Sequence, residues 1–292
     1  MSADRSPVRR SAALLAVAVV LTGCTAAGGS SGAADGTPRG ASGVTPPPAH
    51  AGFDYQLGGA YPPPEGVEVV VRDHTASPAP GLYNVCYVNA FQAQPGAADT
   101  WEPDLLLREG GEGGRVVMDE DWDEALLDIG DAGKRERIAE RVGGWIDACA
   151  DKGFDAVEPD NYDSYTRAPK GLLGAGDAKA FLTLLAARAH GRGLAIAQKN
   201  TVELAPVREE VGVDFAVAEE CGRHDECGDY TDAFGDRVLV VEYDAAGLER
   251  ACGRWGHELS VVRRDVGVTP EGAPGHVRET CGGPGPLPPA GG

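Results

Sequence analysis

From residue 67 onward, short apolar runs rich in β-branched residues alternate with stretches of helical spacing. The runs cover residues 67–71, 82–88, 115–118, 156–159, 194–198, 215–218, 238–241 and 259–262. Runs this short and continuous predict strands buried on both faces. Between them, residues 134–152 set Ile138, Val142, Trp145, Ile146 and Cys149 three and four apart. Residues 177–192 do the same with Ala180, Leu184, Ala187 and His190, so both stretches predict amphipathic helices. Strands separated by helices predict parallel βα units, and eight of them predict an α/β fold, a single (β/α)8 TIM-like barrel over residues 51–283. The first two runs lie too close together to hold a full helix between them.

The two ends of the chain read differently. Arg5, Arg9 and Arg10 precede an apolar run from Ala12 to Leu21 that closes on Leu21-Thr22-Gly23-Cys24. The run is about half the ~20 residues a bilayer-spanning helix needs, so residues 1–23 predict an export signal. Its ending resembles a bacterial lipobox, which implies cleavage before Cys24 and a lipid on that sulfur, hence an extracytoplasmic, membrane-anchored protein. An ordinary secretory signal cleaved nearby is the alternative. Residues 24–50 are nearly all Ala, Gly, Ser, Thr and Pro, a composition too poor in bulky apolar groups to order itself,. They predict a flexible linker reaching on the order of 30 Å, and residues 284–292 predict a disordered tail.

Charge narrows the partners. The formal net charge is −19, and the signal contributes Asp4 against three arginines, or +2, leaving −21 on the mature chain. That disfavours nucleic acid and anionic lipid surfaces, restricts membrane contact to the Cys24 anchor, and suits a cationic ligand. Solubility of an exported protein explains the acidity equally well, and a monomer is expected. Six cysteines remain beyond Cys24, an even number in an oxidising compartment,. Cys221 and Cys227 bracket a short polar loop and predict one disulfide, while Cys252 and Cys281 predict a clamp on the C-terminal segment. Cys86 with Cys149 follows by elimination. A zinc site around Cys221, His224 and Cys227 lacks a second ligand pair at zinc spacing, so no metal is expected.

The residues that end the runs are strongly polar. Asp73 follows the first and Asn89 the second, then Asp119, Glu120 and Asp121 the third. Asp160 and Asn161, Lys199 and Asn200, Glu219 and Glu220, and Glu242 and Tyr243 follow in turn. Strand C-termini of such a barrel converge on one face, where its chemistry is carried. Two carboxylates facing across a pocket suit acetal cleavage, one as acid and one as nucleophile or base. Asp160 and Glu219 are the natural pair, although the pattern does not choose between Glu219 and Glu220. Tyr55, Tyr87, Trp122, Tyr162, Tyr165 and Tyr243 offer flat faces for sugar rings. Lys199 sits where Schiff-base aldolases keep their nucleophile, but no phosphate loop follows the seventh or eighth run and no Gly-x-Ser-x-Gly elbow occurs. It more simply holds its charge beside Asp160 or Glu219. His190, on a helix, reads as structural. No cofactor motif is present in the sequence.

Several segments together carry a family resemblance. They are Phe53-Asp54-Tyr55-Gln56-Leu57-Gly58-Gly59, Cys86-Tyr87-Val88-Asn89-Ala90-Phe91-Gln92, Leu127-Asp128-Ile129, Val157-Glu158-Pro159-Asp160-Asn161, Gln198-Lys199-Asn200, Glu219-Glu220-Cys221 with Glu226-Cys227, and Val241-Glu242-Tyr243. In this order they resemble glycoside hydrolase family 114, the endo-α-1,4-polygalactosaminidases. The resemblance implies a TIM-like barrel that cleaves α-1,4-linked galactosamine in exopolysaccharides from within the chain, with Asp160 as nucleophile and Glu219 as acid/base. It also suits the acidity, since deacetylated galactosamine polymers are cationic. Ala218 stands where the family commonly has Asn, and Phe53-Asp54-Tyr55 replaces a Trp-rich element. A non-catalytic carbohydrate-binding barrel and a glycosidase of another specificity are the competing readings.

Overall fold

The computed structural model describes residues 43–282. The export signal, the Cys24 anchor, the linker as far as residue 42, and the tail lie outside the described residues. Eight parallel strands form one ladder in sequence order: β1 (Phe53–Gln56), β2 (Val69–Asp73), β3 (Tyr83–Asn89), β4 (Ala156–Asp160), β5 (Ala195–Lys199), β6 (Phe215–Glu219), β7 (Val238–Glu242) and β8 (Ser260–Arg264). A ninth strand, β9 (Arg278–Thr280), adds antiparallel to β8. Alternate residues of the eight strands point inward and meet: Phe53 and Tyr55, Val69 and Val71, Val85, Ala156, Ala195 and Ala197, Phe215 and Val217, Leu239 and Val241, and Val262 form one buried cluster. This is the filled interior of a TIM-like barrel.

The outward positions of the same strands pack under a helical layer. The 134–152 spacing appears as helix α1 (Ala132–Lys152). Asp131 caps its start by accepting from Lys134 N at 3.0 Å, and Gly153 ends it at φ +90°, a left-handed position that glycine adopts without strain,. Residues 177–192 do lie on a helix, α2 (Ala175–Gly191), but it buries Ala178, Phe181, Leu182, Leu185, Ala186 and Ala189, whereas Leu184 and Ala187 of the expected face are exposed; Arg188, 2.5 Å from Asp147, joins it to α1. His190 is structural, its Nε2 2.8 Å from Asp214. Helix α3 (Cys227–Phe234) covers β6 and β7, and α4 (Ala245–Trp255) covers β7 and β8. Among the described residues no helix follows β1 or β2; between β2 and β3 this agrees with the short spacing of the runs 67–71 and 82–88.

Two expectations are corrected. Residues 115–118 are not a barrel strand; they contribute to short antiparallel ribbons in an insertion between β3 and α1. The first strand is instead Phe53–Gln56, whose outward Asp54 and Gln56 break the apolar run. Burial of Asp54 is compensated where β1 meets β8, by Arg264 at 3.4 Å and Arg278 at 3.2 Å. The stretch read as linker to residue 50 is also docked from Val44 on: Pro47 is buried, and Tyr83 donates to the Thr45 carbonyl at 2.7 Å.

Three disulfides are present, Cys86–Cys149, Cys221–Cys227 and Cys252–Cys281. Cys86–Cys149 spans 63 residues and ties α1 to β3. Replacing both cysteines by alanine is expected to cost about 2–4 kcal/mol, a fall in Tm of roughly 5–15 °C for a domain of this size. An unchanged melting curve would contradict that role.

Candidate active site

Strand alternation decides what the barrel mouth presents. Counting by twos from the inward positions leads from Phe53 to Tyr55, Val85 to Tyr87, Ala156 through Glu158 to Asp160, Ala197 to Lys199, Val217 to Glu219, and Val241 to Tyr243,. Glu219, not Glu220, therefore turns inward. The residue after each of three strand ends has positive φ: Asn161 at 67°, Asn200 at 49° and Glu220 at 57°. Asn tolerates that region, whereas a glutamate there costs on the order of 1 kcal/mol, strain of a kind found at functional sites.

Lys199 is the hub. It is 2% exposed, with Nζ 3.1 Å from Glu158 Oε1, 3.2 Å from Asp160 Oδ1 and 3.3 Å from Glu219 Oε2. It also donates to the Tyr55 hydroxyl at 3.1 Å. Burial alone would depress the Lys199 pKa, but the Asp160 and Glu219 carboxylates outweigh it and hold the amine well above its ordinary value,. An amine held charged by three carboxylates within 3.3 Å is a poor Schiff-base nucleophile, which weighs against the aldolase reading,.

Asp160 accepts from the Tyr87 hydroxyl at 2.7 Å through Oδ2 and from Asn161 N at 2.8 Å through Oδ1. Burial opposes ionisation there, yet the Lys199 ammonium and the Tyr87 hydroxyl bring its carboxyl below the usual range. Glu219 accepts from the Tyr243 hydroxyl through Oε1 and from Asn200 Nδ2 at 2.9 Å through Oε2. Asn200 in turn accepts from Glu219 N at 2.8 Å, fixing both ends of the residue. Glu158 is fully buried beneath them, accepting from Tyr55 at 2.7 Å, with Oε2 unpartnered. Burial, with Asp160 adding to it, pushes its carboxyl up to about 7.

The mouth opens into a cleft of about 730 Å³, within the ~300–1,000 Å³ of ligand sites. Tyr55, Tyr87, Trp122, Asn161, Lys199, Asn200, Glu220 and Tyr243 line it together with Asp160 and Glu219. Trp122 stands 56% exposed at the rim. Other expected contacts lie elsewhere. Asp73 caps a turn through Thr75. Tyr162 is buried against Phe91, and Tyr165 donates to Glu203 at 2.6 Å. Asn89 is behind the wall, donating to Glu124 at 2.8 Å. Glu242 has the outward parity of β7, and its Oε1 accepts from Gly222 N at 2.7 Å. It approaches Cys221 and Cys227 closely enough to suggest a metal cluster, but the two sulfurs are joined in a disulfide and offer no thiolate,.

The residues overlooked in the sequence are Glu158, Glu124, Arg167 and Arg223. Glu158 carried a usable signal, since it lies two before Asp160 and so shares its face. Glu124 comes from the insertion, where no periodicity pointed to it. Arg167 pairs with Asp119 at 2.9 Å and Asp163 at 2.7 Å. Arg223 pairs with Glu220 at 2.9 Å and Asp244 at 3.1 Å.

Residues 33–285 match the profile of glycoside-hydrolase family GH114. Among solved structures, the chain is similar to Aspergillus fumigatus Ega3, crystallised in complex with galactosamine (TM-score 0.66, 22% identity, 82% of this chain and 98% of that one). It is also similar to the glycoside hydrolase domain of PelA from Pseudomonas aeruginosa (TM-score 0.54, 15% identity, 76% of this chain and 96% of that one). These likenesses establish the shared barrel. No curated protein sequence matches.

Proposed function

Since the chain belongs to glycoside-hydrolase family GH114 and is a glycoside hydrolase, we propose that it cleaves α-1,4-linked galactosamine polysaccharide internally, with retention, using Asp160 and Glu219. The observation that carries this reading is the sharing of one buried ammonium by both carboxylates. Asp160 Oδ1 and Glu219 Oε2 lie 3.2 and 3.3 Å from Lys199 Nζ, so those oxygens are at most 6.5 Å apart, the sum of the two distances. Retaining pairs stand about 5–5.5 Å apart and inverting pairs ~6.5–9.5 Å. The galactosamine bound by Ega3 and the −19 charge both favour a cationic amino-sugar chain.

In the first step a carboxylate oxygen of Asp160 attacks C1 of the sugar while Glu219, which has to take up a proton against the pull of the Lys199 ammonium 3.3 Å away, gives that proton to the glycosidic oxygen. The C1–O bond breaks, the leaving chain departs as an alcohol, and a glycosyl ester remains on Asp160. In the second step Glu219 takes a proton from water, the hydroxide attacks C1, and Asp160 leaves as carboxylate. Lys199 and Tyr87 keep Asp160 ionised for the first attack and stabilise it as it is released.

The test is incubation of the purified chain with deacetylated and N-acetylated galactosamine polymers, followed by mass spectrometry of the products. Oligomers of several lengths from the deacetylated polymer are expected. Intact polymer in both reactions would overturn the substrate assignment, and full retention of both polymers on an affinity column without cleavage would favour a binding-only barrel. Trp122→Ala is expected to raise KM roughly two- to tenfold with a smaller change in kcat, the loss of one stacking face. A pure kcat effect would rule out the platform role.

The Leu21-Thr22-Gly23-Cys24 signature supports action at the outer face of a bacterial membrane, held by lipid on Cys24. Cys24→Ala is expected to release the protein from the membrane fraction, and unchanged fractionation would dismiss the anchor.

A further inference from the structure

We propose that Glu124 is the seat of the substrate's C2 ammonium, the residue that makes the site select deacetylated sugar; this rests on the amino-sugar reading above. Five carboxylates line the cleft: Glu124, Asp160, Asp163, Glu219 and Glu220. Four have a cation within 4 Å, namely Lys199 for Asp160 and Glu219, Arg167 for Asp163, and Arg223 for Glu220. Among the described residues, Glu124 alone of the five has no such partner.

Its neighbours are amides. Asn89 Nδ2 donates to Oε1 at 2.8 Å and Asn161 Nδ2 to Oε2 at 3.3 Å, while Asn161 also donates to Asn89 Oδ1 at 3.0 Å. The side chain is thereby held rigid and 8% exposed at the cleft wall, a carboxylate oriented by neutral donors. Burying a carboxylate without a cation is costly, and a ligand bringing a positive charge recovers that cost.

Position supports the same assignment. Asp160 attacks C1, and the amino group of a 2-amino sugar sits on the adjoining carbon. Glu124 accepts from the side chain of Asn161, the chain neighbour of Asp160, and lines the same cleft as Asp160, which puts it within reach of a group on the carbon next to C1. An N-acetyl group is neutral and bulkier, and offers this carboxylate no charge. Burial, Asp160 and Asp119 push the Glu124 carboxyl up to about 7, against the Asn89 amide and the Arg167 guanidinium, which favour ionisation. An arriving ammonium favours the ionised form, so binding below pH 7 expels a proton.

The experiment compares wild type with Glu124→Gln on one galactosamine oligosaccharide in deacetylated and N-acetylated form. The ratio of kcat/KM, deacetylated over acetylated, is expected to fall about tenfold or more in the variant. An unchanged ratio, even with both rates lowered, overturns the proposal, because Glu124 then acts only by holding Asn89 and Asn161. Calorimetry of wild type with galactosamine and with N-acetylgalactosamine gives a readout independent of how well the variant folds. Tighter binding of galactosamine is expected, and equal affinity for the two would overturn the ammonium seat. If wild type cleaves only the acetylated oligosaccharide, the ammonium seat fails and the hydrolase reading stands. If it cleaves neither, the amino-sugar reading fails as well.

Discussion

Replacing Asp160 by asparagine is expected to lower kcat/KM on galactosamine polymer by about 10⁴-fold or more, roughly 5.5 kcal/mol of transition-state stabilisation. The substitution keeps the side-chain volume and an oxygen for Tyr87 to donate to, but turns an amide NH2 toward the Lys199 ammonium and Asn161 N–H, so a melting curve of the variant separates loss of the nucleophile from loss of the fold. Glu219→Gln removes a proton donor instead, and its loss depends on the leaving group. On an aryl galactosaminide with an acidic phenol, which needs no protonation to depart, the Glu219 variant is expected to form the glycosyl-enzyme at near wild-type rate. The Asp160 variant stays inactive on both substrates. If Glu219→Gln and Asp160→Asn respond alike to leaving-group acidity, the two roles have been assigned wrongly.

Lys199→Met is expected to destabilise the folded chain by about 3–5 kcal/mol at pH 7.5, because it removes the cation that Glu158, Asp160 and Glu219 share,. Methionine approximates the stem, so packing changes little and the cost is one of charge. The sign with pH follows from Asp160. In wild type its folded pKa is depressed, so its contribution is present above its unfolded value near ~3.9 and lost as pH falls through the lower folded value. Without Lys199 the same carboxyl is buried with like charges and its pKa rises. The variant's deficit therefore shrinks as pH falls toward about 4.5, where protonation relieves the repulsion. Denaturant unfolding at pH 7.5 and 4.5 measures this, and an equal deficit at both would show that packing, not charge, is at stake. The acid limb of kcat/KM should also move to higher pH in any active Lys199→Met preparation.

How far the site could be read from sequence depended on what each strand buries. Where both faces are apolar, as in Phe215–Glu219, the run identified the strand and its final acid together. Phe53–Gln56 was missed because Asp54 is buried by an ion pair with Arg264 and Arg278, partners more than 200 residues away that no local pattern reveals. Glu242 ends its strand as Glu219 does, yet faces outward, because the run 238–242 is apolar on both faces and hides its phase. Once Leu239 and Val241 are seen to point inward, Glu242 must point out. Glu158 could have been found by counting two back from Asp160. Glu124 could not, since it reaches the cleft on an insertion whose ribbons span only two or three residues.

We assign Asp160 and Glu219 as a retaining pair acting on an amino-sugar chain. Proton NMR of the reducing ends during the first minutes of hydrolysis of deacetylated α-1,4-galactosamine polymer tests it most directly. The α-anomer is expected to appear first and then mutarotate to the equilibrium mixture. First appearance of the β-anomer would contradict the double-displacement assigned to Asp160, and the absence of any new reducing end would contradict the substrate itself.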